Sequence, residues 1–109
     1  MYIIANMRVI AVRTLRSYAK KKKEAEQPLF IWYNEACKAG WKNANKLGIQ
    51  FRNVSVISGK RILFNIHGNK YRLIVDIEFY LQIIFIVWIG THAAYDKIDA
   101  KTLVYDKTR

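Results

Sequence analysis

Four side chains that can transfer protons or hold anions lie close together near the end of the chain. His92, Tyr95, Asp96 and Lys97 supply an imidazole, a phenol, a carboxylate and an amine within six residues. Among protein side chains, an imidazole titrates closest to neutral pH, so His92 is the first candidate for proton transfer. The spacing predicts general acid–base chemistry, with Tyr95 or Lys97 as the partner of His92.

Arg72 is the candidate anion-binding residue. A guanidinium can give two charge-assisted hydrogen bonds to one phosphate, and here it lies in a segment that alternates between apolar and polar residues. Such alternation predicts a strand with one buried face and places Arg72 on the polar face with Asp76 and Glu78. An ion pair between Arg72 and Asp76 is the alternative role for this arginine. The apolar face would carry Tyr71, Leu73, Val75, Ile77 and Phe79.

The elements that must position these residues are three consecutive antiparallel strands over residues 60–66, 70–79 and 82–90. A turn at His67, Gly68 and Asn69 joins the first two, and its Gly and Asn tolerate positive φ. Asp96, just after the third strand, has a structural alternative in which it accepts backbone N–H bonds at a helix start.

The first half of the chain predicts a strand over residues 1–5 and two helices. Asn6 is a plausible cap for the first helix, which would include Met7 and Ile10. The second helix would open at Pro28 and end near Gly40, and residues 41–59 could hold a short helix and an irregular connection. We therefore expect one domain over residues 1–109, an α+β fold of order β-α-α-β-β-β with the helices packed on one face of a mostly antiparallel sheet.

The charge distribution indicates an acidic partner. The net charge is +11 at pH 7; residues 1–62 contain 13 Lys or Arg against 3 Asp or Glu, whereas residues 63–109 contain 6 against 5. A positive field of this size favours polyanions such as RNA, DNA, ribosomes or anionic membrane. The excess of cations in the first half separates the binding surface from the reactive cluster in sequence.

Several classes of protein lose support. The longest apolar run is far too short to cross a bilayer, and the N-terminal segment lacks the basic start and cleavage site of a signal peptide, so we expect a cytoplasmic protein without a membrane partner. No P-loop, dinucleotide-binding glycine pattern, zinc spacing or nucleophile elbow occurs. We accordingly expect no metal and no cofactor.

Taken together, three segments resemble the HigB family of toxins, mRNA interferases of the wider RelE/ParE superfamily. They are Arg61-Ile62-Leu63-Phe64-Asn65-Ile66, the turn Gly68-Asn69 with Lys70-Tyr71-Arg72-Leu73, and Gly90-Thr91-His92-Ala93 with Tyr95-Asp96-Lys97-Ile98-Asp99. The match is strong over the last half of the chain, while the first half matches only in its order of elements. The chain differs from the family at two positions, where Val87 stands in place of Arg and Ala94 in place of Glu.

The resemblance implies a ribosome-dependent endoribonuclease that cuts mRNA during translation. It also implies neutralisation by a HigA-type antitoxin with a helix-turn-helix, and contact with operator DNA only through the antitoxin complex. Arg72 would stabilise the transition state and His92 would transfer a proton, while the period of two would place Val87 on one strand face with Phe85 and Ile89. The departures at Val87 and Ala94 predict weakened cleavage. The candidate RNA contacts are Lys42, Lys46, Lys60, Arg61, Asn69 and Lys70.

Two other functions are compatible with the same residues. One is a non-enzymatic protein whose basic first half binds RNA or the ribosome through phosphate contacts. The other is a ParE-like toxin that poisons gyrase, which shares the fold and uses no acid–base site. Replacement of His92 separates them, because only the nuclease depends on an imidazole.

Overall fold

A five-stranded sheet forms the centre of the protein. The computed structural model describes residues 7–105. The strand order is β1-β5-β4-β3-β2, with β1 parallel to β5 and all other neighbours antiparallel. The strands are β1 (Arg8–Ile10), β2 (Val54–Ser58), β3 (Arg61–Ile66), β4 (Tyr71–Glu78) and β5 (Ile83–Thr91).

Three helices precede the main part of the sheet and one short helix follows it. They are α1 (Val12–Lys21), α2 (Glu26–Ala39), α3 (Ala44–Gln50) and α4 (His92–Tyr95), and a 3₁₀ turn, Lys23–Ala25, leads into α2. Buried side chains of the first three helices pack with one face of the sheet, where Trp32 of α2 meets Phe64 of β3 edge to face at 5.3 Å between ring centroids. The α+β prediction, with helices on a mostly antiparallel sheet, is confirmed.

The start of the described chain differs from the sequence prediction. The predicted strand over residues 1–5 and the cap at Asn6 lie outside the described residues. Residues 8–10, predicted to lie in the first helix, instead form β1 beside β5, and α1 begins at Val12. A short apolar run fits either period, and the β-branched Val9 and Ile10 suit a strand once β5 offers an edge to pair with.

The second helix ends as predicted and begins earlier. Gly40 follows α2 with φ +68°, the left-handed conformation that glycine adopts without strain at a helix end. The helix opens at Glu26, so Pro28 lies within its first turn, where a missing N–H costs nothing. The segment after Gly40 contains the short helix α3, which the sequence allowed, and the strand β2, which the sequence did not predict.

β4 has the alternation that the sequence predicts. Tyr71, Leu73, Val75 and Ile77 are 0–2% exposed and belong to the cluster under the helices. Ile74 lies on the opposite face, in a second apolar cluster with Leu63 and Val87. The segment after α4 covers this second cluster, so both faces of the sheet are buried there. Its covering residues are Ile98, Ala100, Leu103 and Tyr105.

A bulge in β5 changes the predicted neighbours of Val87. Ile74 pairs with Trp88 and Val75 with Ile86, so Val87 has no partner of its own in the ladder. The extra residue shifts the alternation: Phe85 lies opposite Asp76, on the face of the second cluster, whereas Ile89 packs with the cluster under the helices. The prediction that Val87 shares one face with both Phe85 and Ile89 is therefore wrong for Ile89. Val87 is 4% exposed.

The turn between β3 and β4 also differs in detail. Positive φ occurs at His67 (+56°) and Gly68 (+65°), one residue earlier than predicted, and Asn69 does not adopt it. Asn69 instead presents its carbonyl oxygen to the Arg72 guanidinium. The hairpin pairs Ile66 with Tyr71, which sets Arg72 across from Asn65.

Candidate functional site

Arg72 and Tyr95 are brought together on the face of the sheet that lies away from α1 and α2. The guanidinium carbon of Arg72 is 5.9 Å from the centroid of the Tyr95 ring, a cation–π distance. Nη1 of Arg72 also donates to the carbonyl oxygen of Asn69 at 3.3 Å. Arg72 is half-buried, and most of its donors remain available to an anion.

The alternative role of Arg72, an ion pair with Asp76, is not the observed one. Asp76 of β4 is the direct cross-strand neighbour of Arg61 of β3, whose Nε and Nη2 donate to the two carboxylate oxygens of Asp76 at 2.8 Å each. The carboxylate is thus satisfied by a different arginine. Arg72 is left beside Tyr95 with no carboxylate partner among residues 7–105.

β5 runs directly into α4, and this junction presents the acid–base residues. Thr91 caps α4 by accepting the N–H of Ala94 at 3.1 Å, while the N–H of His92 donates to the carbonyl oxygen of Lys70, in the turn just before β4, at 3.0 Å. The backbone of His92 is therefore held by the residue before β4, two positions from Arg72. The imidazole itself is 52% exposed and open to a substrate.

Asp96 lies next to His92. Its Oδ2 is 3.4 Å from Nδ1 of the imidazole, across one helical turn at i, i+4 spacing. The predicted structural role for Asp96, accepting N–H bonds at a helix start, is wrong, because Asp96 follows the last residue of α4 and Thr91 is the cap. A carboxylate at Nδ1 favours the tautomer that leaves Nε2 free. The spacing of His92 and Asp96 was the sequence signal that could have revealed this pair.

Trp88 extends the site with a second aromatic ring. Its centroid is 6.2 Å from that of Tyr95, and its six-membered ring lies against Gly90. A Cβ atom at Gly90 would be 2.4 Å from Cη2 of the indole, so only glycine leaves room for this ring. Trp88 could not be predicted from the sequence, because nothing in the local pattern shows that a bulge in β5 places it beside Tyr95.

Apart from Arg61, the candidate RNA contacts fall into three groups. Asn69 and Lys70 adjoin Arg72 and His92 through their backbone carbonyls, and Nζ of Lys70 pairs with Glu24 at 3.1 Å. Lys60, in the turn before β3, pairs with Glu78 at the other end of the hairpin. Lys42 and Lys46 are exposed at the start of α3, which packs under the opposite face of the sheet. Lys97 is exposed just after α4 and is linked to it through its backbone N–H.

Arg61 is placed inward. It is 9% exposed, and besides Asp76 its Nη1 bonds the carbonyl oxygens of Ala100, at 3.0 Å, and Leu103. The hydrogen bonds that Arg61 donates to the Asp76 carboxylate raise the pKa of Arg61 above its usual range. This side chain holds the segment after α4 over the second apolar cluster, and its guanidinium is occupied by Asp76 and the two carbonyl oxygens.

A hydrogen-bond group around the buried Tyr71 supports the turn beneath the site. The hydroxyl of Tyr71 donates to Oε1 of Glu24 at 2.8 Å. Burial, together with this bond, raises the pKa of Tyr71 to about 12. The bonds from Tyr71 and Lys70 in turn lower the pKa of Glu24. These contacts tie the 3₁₀ turn before α2 to the first residues of β4, and so hold the strand that carries Arg72.

Among residues 7–105, His, Cys, Asp and Glu side chains do not come together in groups of three that could hold a metal ion. The helices of this part of the chain are too short or too polar to cross a membrane.

A comparison with protein-family models matches the chain to a toxin family. The match covers residues 25–98 and is described as "HigB_toxin, RelE-like toxic component of a toxin-antitoxin system". The matched region includes every residue of the Arg72, Trp88, His92 and Tyr95 site. A search among curated proteins finds no match.

Proposed function

The chain belongs to the HigB family of RelE-like toxins of toxin–antitoxin systems, and from this membership we propose that it is a ribosome-dependent endoribonuclease that cuts mRNA. The observation that supports the proposal is the contact of the Arg72 guanidinium with the Tyr95 ring, 5.9 Å away, next to the chain segment where the backbone N–H of the exposed His92 bonds Lys70. Together they supply an anion ligand and proton-transfer groups.

The proposed reaction is a transesterification within the RNA. The ribose 2′-oxygen attacks the adjacent phosphorus, the bond from phosphorus to the 5′-oxygen breaks, and the products are a 2′,3′-cyclic phosphate and a free 5′-hydroxyl. Nε2 of His92 takes the proton of the 2′-hydroxyl. Asp96, at 3.4 Å from Nδ1, acts as a positioning residue that favours the required tautomer and stabilises the imidazolium that forms.

Charge on the phosphate grows during the attack, and Arg72 is placed to stabilise it. Its backbone belongs to a central strand paired on both sides, so its position needs little reorganisation. The ring of Tyr95 restricts the guanidinium, and the Tyr95 hydroxyl can protonate the departing 5′-oxygen. Lys97 is the alternative acid; we favour Tyr95 because it contacts Arg72.

The two departures from the family pattern lower the expected rate. Val87 is buried against Leu63 and Ile74, so this position offers the phosphate no cation. Ala94 offers no carboxylate, and Asp96 is the acidic group nearest His92 among the contacts of α4. Arg72 therefore carries the anion without a second arginine from β5, and we expect slow cleavage that depends on the ribosome to position the mRNA.

Family membership implies an antitoxin partner. We propose that this antitoxin is of the HigA type, with a helix-turn-helix, and that operator DNA is bound only by the toxin–antitoxin complex. The exposed cations Lys42, Lys46 and Lys60 are proposed to contact RNA phosphates outside the catalytic group. The proposed location is the cytoplasm, where ribosomes and mRNA meet.

Primer-extension mapping of a defined mRNA in a purified translation system tests the proposal. The wild type is compared with Arg72→Ala, His92→Ala and Asp96→Asn, and a reaction without ribosomes is the control. His67→Ala is the matched variant for His92→Ala, because it removes the chain's other imidazole, in the turn after β3.

The expected result is a set of cuts within the reading frame that require ribosomes and persist in His67→Ala. His92→Ala and Arg72→Ala should each reduce cleavage at least about 100-fold, and Asp96→Asn about 10-fold. Folded wild-type protein that gives no cuts would refute the nuclease. Translation arrest without cuts would then favour a ribosome-binding protein, and inhibition of gyrase supercoiling would favour a ParE-like toxin.

A further inference from the structure

An open groove of about 530 Å³ runs between α1 and the end of β5. β1 pairs with β5 only at Ile83, Ile84 and Phe85, so the later part of β5 borders the groove at the free edge of the sheet. The groove is lined by Arg13, Thr14, Ser17, Tyr18 and Lys21 of α1 and by Trp88 and Ile89 of β5. None of the α1 residues belongs to the candidate site described above.

The helix side of the groove carries two exposed cations. Arg13, Ser17 and Lys21 recur at i, i+4 and i+8, so they lie in one row along α1. The backbone positions of Arg13 and Lys21 are about 12 Å apart along the helix axis. No carboxylate of residues 7–105 pairs with either cation. Both are therefore available to phosphates, with hydroxyl donors between them.

The strand side of the groove supplies an aromatic surface. Trp88 is half-buried, with its six-membered ring resting on Gly90, and it reaches both the groove and, at 6.2 Å, the Tyr95 ring. Because Tyr95 in turn contacts Arg72, the groove and the catalytic group form one continuous path. A row of aromatic rings beside a row of cations is the arrangement that holds single-stranded nucleic acid.

We infer that this groove is a subsite for single-stranded RNA next to the cleaved bond, in which one nucleobase stacks on Trp88 and its two flanking phosphates contact Arg13 and Lys21. The inference rests on the proposed nuclease function and assigns it a binding site for the neighbouring nucleotide. An acidic peptide would satisfy the two cations but would leave the indole face without a stacking partner, so a nucleotide fits the groove better.

Tryptophan fluorescence tests the inference directly. Trp32 and Trp41 are 3% and 4% exposed in the main cluster, so quenching by a stacked base reports on Trp88. The probe is a short single-stranded RNA with 2′-O-methyl groups throughout, which cannot undergo 2′-hydroxyl attack. Binding is measured both by quenching and by the anisotropy of a labelled copy, over a range of salt concentrations.

The variants separate stacking from charge. Trp88→Leu should weaken binding about 10-fold, whereas Trp88→Phe should keep most of the affinity and lose the quenching. The double variant Arg13→Ala, Lys21→Ala should weaken binding about 10-fold and reduce the salt slope by about 1.4. Its matched control is Arg16→Ala, Lys20→Ala, which removes the same charge from the adjacent face of α1, beside the groove shared with α2.

Four other outcomes would overturn the inference. Equal losses in the two double variants would reduce the effect to net charge, and binding without quenching would place RNA elsewhere. Absence of RNA binding by the folded wild type would also remove the subsite, and equal quenching by a polyglutamate peptide would assign the groove to an acidic protein. The two proposals can fail separately. If RNA quenches the fluorescence of the wild type but the wild type makes no cuts in mRNA, the nuclease alone is refuted. If RNA does not quench the wild type and the Arg13→Ala, Lys21→Ala variant cuts mRNA as fast as the wild type, the subsite alone is refuted.

Discussion

Arg61 should behave as a structural residue, and its replacement by Met tests how the second apolar cluster is held. The guanidinium makes two 2.8 Å contacts with Asp76 and bonds the carbonyl oxygens of Ala100 and Leu103. Met keeps the apolar stem of the side chain and removes all of these bonds. The Asp76 carboxylate is then left without its partner, in a site where its side chain is 23% exposed.

The magnitude follows from this partial burial. Removing one partner of a fully buried pair costs about 3–5 kcal/mol, and the exposure of Asp76 lets water recover part of that loss. We expect the free energy of unfolding to fall by about 2–3 kcal/mol, which for a domain of this size lowers the thermal midpoint by about 10 °C. Urea unfolding followed by tryptophan fluorescence measures the change.

Lys60→Met is the matched control, because it removes the neighbouring cation and its ion pair with Glu78. That pair is exposed, with side chains 58% and 33% accessible, so its loss should cost less than about 1 kcal/mol. Adding Asp76→Asn to Arg61→Met should recover part of the lost stability, because no unpaired carboxylate remains. If Arg61→Met costs no more than Lys60→Met, the assignment of Arg61 as the clamp on the C-terminal segment is refuted.

Three further predictions follow from buried or crowded positions. Val87→Arg should lower the free energy of unfolding, measured by urea unfolding, by about 2–4 kcal/mol, because Val87 is 4% exposed and a buried guanidinium would lack a partner. A variant that stays as stable as the wild type and cuts mRNA faster would contradict this. Gly90→Ala should displace the Trp88 ring, because the new Cβ would lie 2.4 Å from it, and should abolish RNA quenching while the protein stays folded; unchanged quenching would refute the stacking geometry. The raised pKa of Tyr71 means that its contribution to stability is complete below pH 10 and is lost as the pH rises toward about 12. Urea unfolding at stepped pH should show that extra loss in the wild type and not in Tyr71→Phe, and parallel curves would argue against it.

Much of the fold could be predicted because the periodicity of apolar residues, and the residues that begin and end helices and strands, are local properties of the sequence. The alternation of apolar and polar residues in β4 predicted its buried face correctly, and α2 ends at Gly40 as the sequence predicted. β1 and β2 could not be predicted in the same way. Each is a short strand of three or five residues whose pairing depends on an edge formed by distant residues, so tertiary contacts decide between strand and helix or loop.

The candidate site, like the fold, could be predicted from the sequence only in part. The sequence by itself determined which groups are available: Arg72 on the polar face of a strand, and His92 and Tyr95 after the next one. Only the tertiary structure decided their partners. Because β3 pairs with β4 so that Arg61 lies opposite Asp76, Asp76 binds Arg61, and Arg72 contacts Tyr95 instead. The bulge in β5 places Trp88 beside Tyr95, because one extra residue reverses which side chains share a face, and the segment after α4 covers Val87.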